Sequence, residues 1–184
     1  MDGVERGIKE RGGERTTSTT TFLFLRAVAL VLTLAAAIVL GVNKQSEVVP
    51  IKLVDSLPPL NIPVTAKWHH LSAFVFFVVS NAIACSYAAI SLLLCFCGKK
   101  SMGAIIITLD LLMVALLFSS IGATTAIGLM GYKGNSHVRW NKVCNVFGRF
   151  CNQGVAAIVL SLIAAIAFLL LVMLRALSLH KKSK

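Results

Sequence analysis

Four long apolar stretches constrain the fold of this chain more than any other feature. Each reaches the roughly 20 residues that a helix needs to cross a bilayer; they cover residues 22–42, 71–97, 103–130 and 155–177. Composition agrees, because 57% of the residues are hydrophobic and only 14% are charged, unlike a soluble domain. The sequence therefore predicts an all-α integral membrane protein, a four-helix bundle with short cytoplasmic tails and two extracellular loops.

Little of the chain lies outside these spans. The first 21 residues are rich in Gly, Thr and charged side chains, which predicts disorder. In the loop 43–70, Pro58, Pro59 and Pro63 prevent a continuing helix, and the Val and Ile residues there fit short extended pieces. The predicted organisation is a disordered cytoplasmic tail, a four-span membrane domain and a basic cytoplasmic tail, over residues 1–21, 22–177 and 178–184.

The net charge of +11 bears on membrane topology rather than on nucleic-acid binding. Basic residues are denser in the two tails and in the tight turn 98–102 than in the longer loops 43–70 and 131–154. Since positive segments tend to stay in the cytoplasm, both termini are predicted to be cytoplasmic and both longer loops extracellular. No nucleic-acid partner is predicted.

The first and third apolar stretches each contain one charged residue. Asp110 is the only ionisable residue of the 28-residue stretch 103–130, and Arg26 lies in the first span. Both spans run in the same direction, so a rise of about 1.5 Å per residue places these residues roughly 6 and 10 Å from the same edge. A buried charge in lipid is expensive, so we predict an intramembrane ion pair between Arg26 and Asp110.

Two alternatives to this pair stay open. Arg26 is shallow enough to extend its side chain to lipid phosphates, which would leave Asp110 protonated. Asp110 would otherwise serve as the proton or cation site of a small channel or transporter.

The cysteines suggest two further features. Cys144 and Cys151 share the last loop, and an oxidising exterior favours a disulfide between them over two free thiols. Cys95 and Cys97 lie at the predicted cytoplasmic end of the second span, where S-palmitoylation and plain interfacial packing are both compatible with the sequence.

Nothing in the sequence assembles a catalytic or metal site. His69 and His70 are adjacent, and His137 and His180 are isolated, so no converging ligand set is visible. The chain also has no recognisable nucleophile–base pair or phosphate-binding glycine loop. The sequence therefore predicts neither an enzyme nor a cofactor.

Small residues four apart recur in the spans, and such pairs let helix backbones approach closely. They favour packing within the monomer over an oligomer seam. The pairs are Ala37 and Gly41, Ala84 and Ala88, and Gly122 and Ala126.

Specific blocks also resemble a known family. Arg26 in the first span, Asp110 in the third and the loop GNSHVRWNKVCNVFGRFC resemble the plant Casparian strip membrane domain protein-like family. The stretch AKWHHLSAFVFFVVSNAIACSY fits it as well, and the resemblance covers nearly the whole chain from about residue 20. In that family Arg26 and Asp110 match the intramembrane charged positions, and Cys144 and Cys151 match the loop cysteines.

The resemblance implies a plasma-membrane protein related to four-span MARVEL-type proteins. Family members self-associate into membrane domains, alone or with related four-span proteins, and the founding members position cell-wall-modifying enzymes. The first loop, VDSLPPLNIPV, differs from the signature loop of the strip-forming members, which favours a "like" member with a broader scaffold role.

The leading hypothesis is therefore a non-enzymatic scaffold in contact with membrane lipids, related proteins and cell-wall enzymes. Basic and aromatic residues of the last loop fit a surface for a partner or polysaccharide, and packing inside the loop with interfacial anchoring fits them equally well. These residues are Arg139, Trp140, Lys142, Phe147, Arg149 and Phe150.

Overall fold

Four long helices and a two-stranded ribbon make up the protein. The computed structural model describes the backbone of residues 2–51, 60–96, 103–134 and 142–183, and the side chains of residues 20–48, 62–95, 105–134 and 142–180. The elements in chain order are α1 (Asp2–Gly41), β1 (Lys44–Ile51), β2 (Leu60–Lys67), α2 (Ser72–Phe96), α3 (Gly103–Lys133) and α4 (Gly148–Ser183), with short 3-10 turns at Trp68–His70 and Val143–Asn145.

Each long helix contains a segment long and apolar enough to cross a membrane. These segments are Thr20–Gly41, Ser72–Cys95, Ile105–Lys133 and Gly148–His180. Large apolar side chains such as Phe24 and Leu93 point outward from the bundle, as expected where the surroundings are lipid rather than water. The predicted all-α membrane bundle of four helices is confirmed.

The buried positions repeat every three or four residues along each helix. On α1, for example, Arg26, Ala29, Thr33, Ala36 and Leu40 are all buried. That spacing forms a narrow seam on one helix face. Alanines fill much of these seams, on α2 and α4 as well as on α1, so the backbones can approach closely.

The helices form a closed ring in which α1 packs on α2 and α4, and α3 also packs on α2 and α4. The helices α1 and α3 therefore occupy opposite corners of the bundle. Any contact between their side chains must cross the centre of the core. We call the end where the α1 span begins and α4 finishes the terminal end, and the opposite end the loop end.

At the loop end, β1 pairs with β2 in antiparallel register from Lys44 opposite Lys67 to Ile51 opposite Leu60. The ribbon accounts for the extended pieces that the Val and Ile residues predict. Pro58 and Pro59 lie outside the described residues. The ribbon joins the bundle where the Trp68 amide donates to the Asn43 carbonyl at 3.3 Å.

Two helix starts differ from the sequence prediction. The helix α1 begins at Asp2, within the segment predicted to be disordered, because a span that is already helical supplies the costly nucleus and each added residue gains a hydrogen bond. The helix α4 begins at Gly148, seven residues before the predicted span. Its first turn is already bonded where the Cys151 amide donates to the Phe147 carbonyl at 3.1 Å.

Candidate functional site

Arg26 and Asp110 meet in the centre of the bundle. Their side chains are 1% and 0% exposed, and Nη2 of Arg26 donates to Oδ1 and Oδ2 of Asp110 at 2.9 and 2.8 Å. The contact is a fork from one nitrogen rather than a parallel pair of bonds from two. The structure thus brings together the two intramembrane charges that the sequence singled out, across the diagonal between α1 and α3.

Tyr87 on α2 completes this site, although nothing in the sequence pattern singles it out. Its hydroxyl donates to Oδ1 of Asp110 at 2.7 Å, and its ring centroid lies 5.5 Å from Cζ of Arg26. The Tyr87 ring also lies 6.2 Å from the ring of Phe168 on α4. One residue from each helix therefore meets here, in what we call the charge cluster (Arg26, Tyr87, Asp110 and Phe168).

The chemistry of the charge cluster is that of a cross-link. Both oxygens of Asp110 accept hydrogen bonds, from the Arg26 guanidinium and the Tyr87 hydroxyl, and bonds to a charged group of this kind are short and strong. The Arg26 side chain points into the core, unlike an arginine that extends to lipid phosphates. Within the described side chains, Nε and Nη1 of Arg26 are buried and have no hydrogen-bond partner.

Arg175 on α4 is a second guanidinium at the same end, and the sequence analysis also missed it. It is partly buried, and its Cζ lies 5.3 Å from the centroid of the Phe22 ring. Its position inside the apolar segment Gly148–His180 was the signal available in the sequence.

A layer of neutral polar contacts joins other pairs of helices. Ser161 on α4 donates to Oδ1 of Asn81 on α2 at 2.9 Å, and Asn81 donates to the Phe77 carbonyl at 3.0 Å. Thr124 on α3 donates to the Ala73 carbonyl on α2 at 3.2 Å. The bonds of Ser161 and Thr124 connect different helices and help to hold the bundle together, and the bond from Asn81 to Phe77 lies within α2.

At the loop end, Asn43 and Gln45 bind the backbone of Phe150 from both sides. Nδ2 of Asn43 donates to the Phe150 carbonyl at 2.8 Å, and the Phe150 amide donates to Oε1 of Gln45 at 2.8 Å. The Phe150 ring stacks on Phe74 with centroids 5.7 Å apart. We call these four residues the amide clamp.

The disulfide Cys144–Cys151 lies beside the amide clamp, with Cα atoms 5.7 Å apart. It links the turn Val143–Asn145 to the first turn of α4, so Cys151 belongs to a helix rather than to a loop. An apolar cavity of about 440 Å³ lies next to this disulfide, between α3 and α4.

Only part of the predicted basic and aromatic surface is exposed in the structure. Phe147 and Phe150 are 6% and 5% exposed, because both belong to the buried apolar core, so they do not belong to an exposed patch. Lys142 and Arg149 are exposed. Arg139 and Trp140 lie outside the described residues.

The remaining sequence-predicted positions belong neither to the charge cluster nor to the amide clamp. Cys95 is a free, exposed thiol on the last turn of α2, and Cys97 lies outside the described residues. Among the described residues, no group of three or more His, Cys, Asp and Glu side chains is arranged to hold a metal ion.

The small-residue pairs also divide. Ala84 and Ala88 are buried in the core, whereas Gly122 and Ala126 face outward from α3. A Cβ atom added to Gly122 would meet no atom within 4 Å. This pair therefore packs against no other helix of the described bundle.

Comparison with known proteins agrees with this architecture. The profile of the Casparian strip membrane protein domain matches residues 15–167. CASP-like protein 1E1 of Ricinus communis is 72% identical, over 100% of this chain and 94% of its own length. The protein of the same name from Populus trichocarpa is 65% identical, over 100% of this chain and 94% of its own length. The one from Arabidopsis thaliana is 53% identical, over 97% of this chain and 95% of its own length.

No solved structure matches the chain. The domain match covers both charged residues of the cluster and both disulfide cysteines, and the relatives align along nearly their full lengths. This chain belongs to the Casparian strip membrane protein family, as a CASP-like membrane protein with four candidate spans.

Proposed function

We propose that this protein is a non-enzymatic plasma-membrane scaffold that associates laterally, with its own copies and with related four-span proteins, and organises cell-wall-modifying partners. Family membership supports this role, since the relatives are named as CASP-like proteins rather than as enzymes. The charge cluster supports it too, because its polar groups are used to join helices.

The outward face of α3 is the observation that carries the proposal. Ala115, Ser119, Gly122 and Ala126 follow one another at spacings of four, three and four residues, and all are exposed. Such a strip lets a second helix approach closely in lipid, where packing rather than hydrophobicity drives association. The same spacing is buried within the bundle on α1 and α2, so on α3 it is free for contact with another copy.

The loop end is the surface that we assign to partners outside the cell. It carries the ribbon, and it also exposes Lys142 and Arg149. These two basic side chains suit acidic groups on a protein or wall polysaccharide. The orientation follows from the basic residues of the two tails, which favour cytoplasmic termini.

Native mass measurement in a mild detergent tests the self-association. The wild-type chain is expected to form dimers or larger assemblies, and the double variant Gly122→Ile/Ala126→Ile to be mainly monomeric, because two branched side chains would keep the helices apart. Ala82→Ile is the matched control, since Ala82 is exposed on a different helix. A wild-type protein that stays monomeric at every concentration would remove the basis of the proposal.

The alternative function, a small channel or transporter using Asp110, has less support from the geometry. Asp110 is 0% exposed, and the two cavities at the loop end are not lined by it. Reproducible proton or cation flux in liposomes that depends on Asp110 would reverse this order of preference.

A further inference from the structure

The terminal end of the bundle carries more positive than negative charge. Among the side chains that the structure describes there, two guanidinium groups, those of Arg26 and Arg175, accompany one carboxylate, that of Asp110. In a medium without water such an excess is unfavourable. One positive charge at this end therefore calls for an anion from outside the described chain.

Asp110 is not available to Arg175. Its Oδ1 accepts from Arg26 and from Tyr87, and its Oδ2 accepts from Arg26. The carboxylate is fully buried, inside the bundle and behind Arg26. Arg175 is only partly buried, so it is the guanidinium that an external anion can reach.

Arg175 is also held in a defined orientation. Its guanidinium lies over the ring of Phe22, with Cζ 5.3 Å from the ring centroid, a contact that favours a planar cation. Its Nε is buried and has no hydrogen-bond partner among the described residues. A planar guanidinium that is oriented in this way matches the geometry of a phosphate better than a flexible ammonium group does.

The depth of Arg175 identifies the source of the phosphate. Arg175 lies five residues before His180, where the apolar segment of α4 ends, and Phe22 lies two residues inside the apolar segment of α1. At about 1.5 Å per residue, both lie close to the level of the lipid headgroups. Leu179, four residues after Arg175 on the same face of α4, is apolar and exposed and suits an acyl chain.

We propose that Arg175, oriented by Phe22, binds the phosphate of an anionic phospholipid in the leaflet at the terminal end of the bundle. The lipid supplies the negative charge that balances Arg175, and its chains lie against the apolar surface of α4 that includes Leu179. The site is independent of the self-association proposed above, because it is on α4 rather than on the outward face of α3.

Binding of phosphatidylglycerol and phosphatidylcholine with identical acyl chains tests the proposal. The full-length chain in a mild detergent is titrated with each lipid, and the bound fraction is measured by native mass spectrometry. We expect tighter binding of phosphatidylglycerol, and a loss of about tenfold in that affinity for Arg175→Gln, which is the effect of removing one strong charge-assisted hydrogen bond. Phosphatidylcholine binding should hardly change.

Three further measurements distinguish a specific lipid site at Arg175 from other causes of binding. Lys182→Gln removes one positive charge from the same end of the chain. If it lowered the affinity for phosphatidylglycerol as much as Arg175→Gln does, the lipid would be held by the general positive charge of this end, and the specific site at Arg175 would be ruled out. Displacement of the lipid by inorganic phosphate would overturn the assignment to a lipid. Arg175→Lys keeps the positive charge and replaces Arg175→Gln if that variant does not fold. We expect a severalfold weaker affinity for phosphatidylglycerol, because lysine has neither the planar fork of donors nor the contact with the Phe22 ring. An unchanged affinity would contradict the proposal.

Discussion

The two ends of this bundle are held together by different chemistry. At the terminal end, an ion pair and a tyrosine hydroxyl join three helices within the apolar spans. At the loop end, neutral amide bonds, a stacked aromatic pair and a disulfide hold the start of α4. Charges that are buried in lipid cannot fall back on water, so they depend entirely on one another. The neutral contacts at the loop end can each be lost with a smaller cost.

The largest expected effect is at the terminal end. Asp110→Asn leaves Arg26 buried without a counter-charge, and breaking a buried pair in this way costs about 3–5 kcal/mol. We expect poor assembly and trafficking, measured as the folded fraction in mild detergent and the fraction of tagged protein at the cell surface.

The exchanged pair, Arg26→Asp with Asp110→Arg, is the control for that variant. It keeps one charge of each sign at the centre of the core, so it should fold and localise better than Asp110→Asn. If Asp110→Asn folded and localised like the wild type, the charge cluster would not be a structural cross-link.

Removing the disulfide at the loop end should lower the free energy of unfolding by less than Asp110→Asn does. The double variant Cys144→Ser/Cys151→Ser opens a small ring, which corresponds to a loss of roughly 2–3 kcal/mol in the free energy of unfolding. Thermal unfolding should show an earlier transition for this variant, and addition of a reductant should lower the wild type to the same level. A reductant effect on the variant itself would mean that another bond is involved.

The smallest expected effect is that of Tyr87→Phe, which distinguishes the contribution of the Tyr87 hydroxyl to stability from that of its ring. Tyr87→Phe keeps the contacts with Arg26 and Phe168 but removes the bond to Asp110 Oδ1, which is a loss of about 1.5–2 kcal/mol for a hydrogen bond to a charged group. Unfolding in mild detergent should place this variant between the wild type and Asp110→Asn. Equal stability of Tyr87→Phe and Asp110→Asn would show that the ion pair contributes little without the tyrosine.

The sequence was sufficient for the spans and for the meeting of Arg26 with Asp110. Both follow from quantities that are local or additive, namely the length of an apolar stretch and the rise per residue along two spans that run in the same direction. Tyr87 could not be placed in the same way, because α2 runs in the opposite direction and its level depends on the turn between α2 and α3. The diagonal relation of α1 and α3 likewise depends on the order of helices around the ring.

The open and missed assignments have a common cause at both ends. Phe147 and Phe150 belong to a polar stretch whose pattern leaves their burial open, and for Phe150 the contacts with Phe74 and Asn43 decide it. Arg175 was visible as a charge within an apolar segment, but its relation to Phe22 requires the contact between α1 and α4. Pairing between distant elements decides burial, and the pattern of a single segment does not contain it.

The order of the charge cluster along the chain has a consequence for biosynthesis. Arg26 precedes Asp110 by 84 residues and Tyr87 precedes it by 23. Since a chain is synthesised from its amino terminus, the base and the hydroxyl have both been made before the acid leaves the ribosome. The third span therefore enters a bilayer that already holds the groups able to neutralise it, and its acid need not wait in lipid for a partner that is still to be translated.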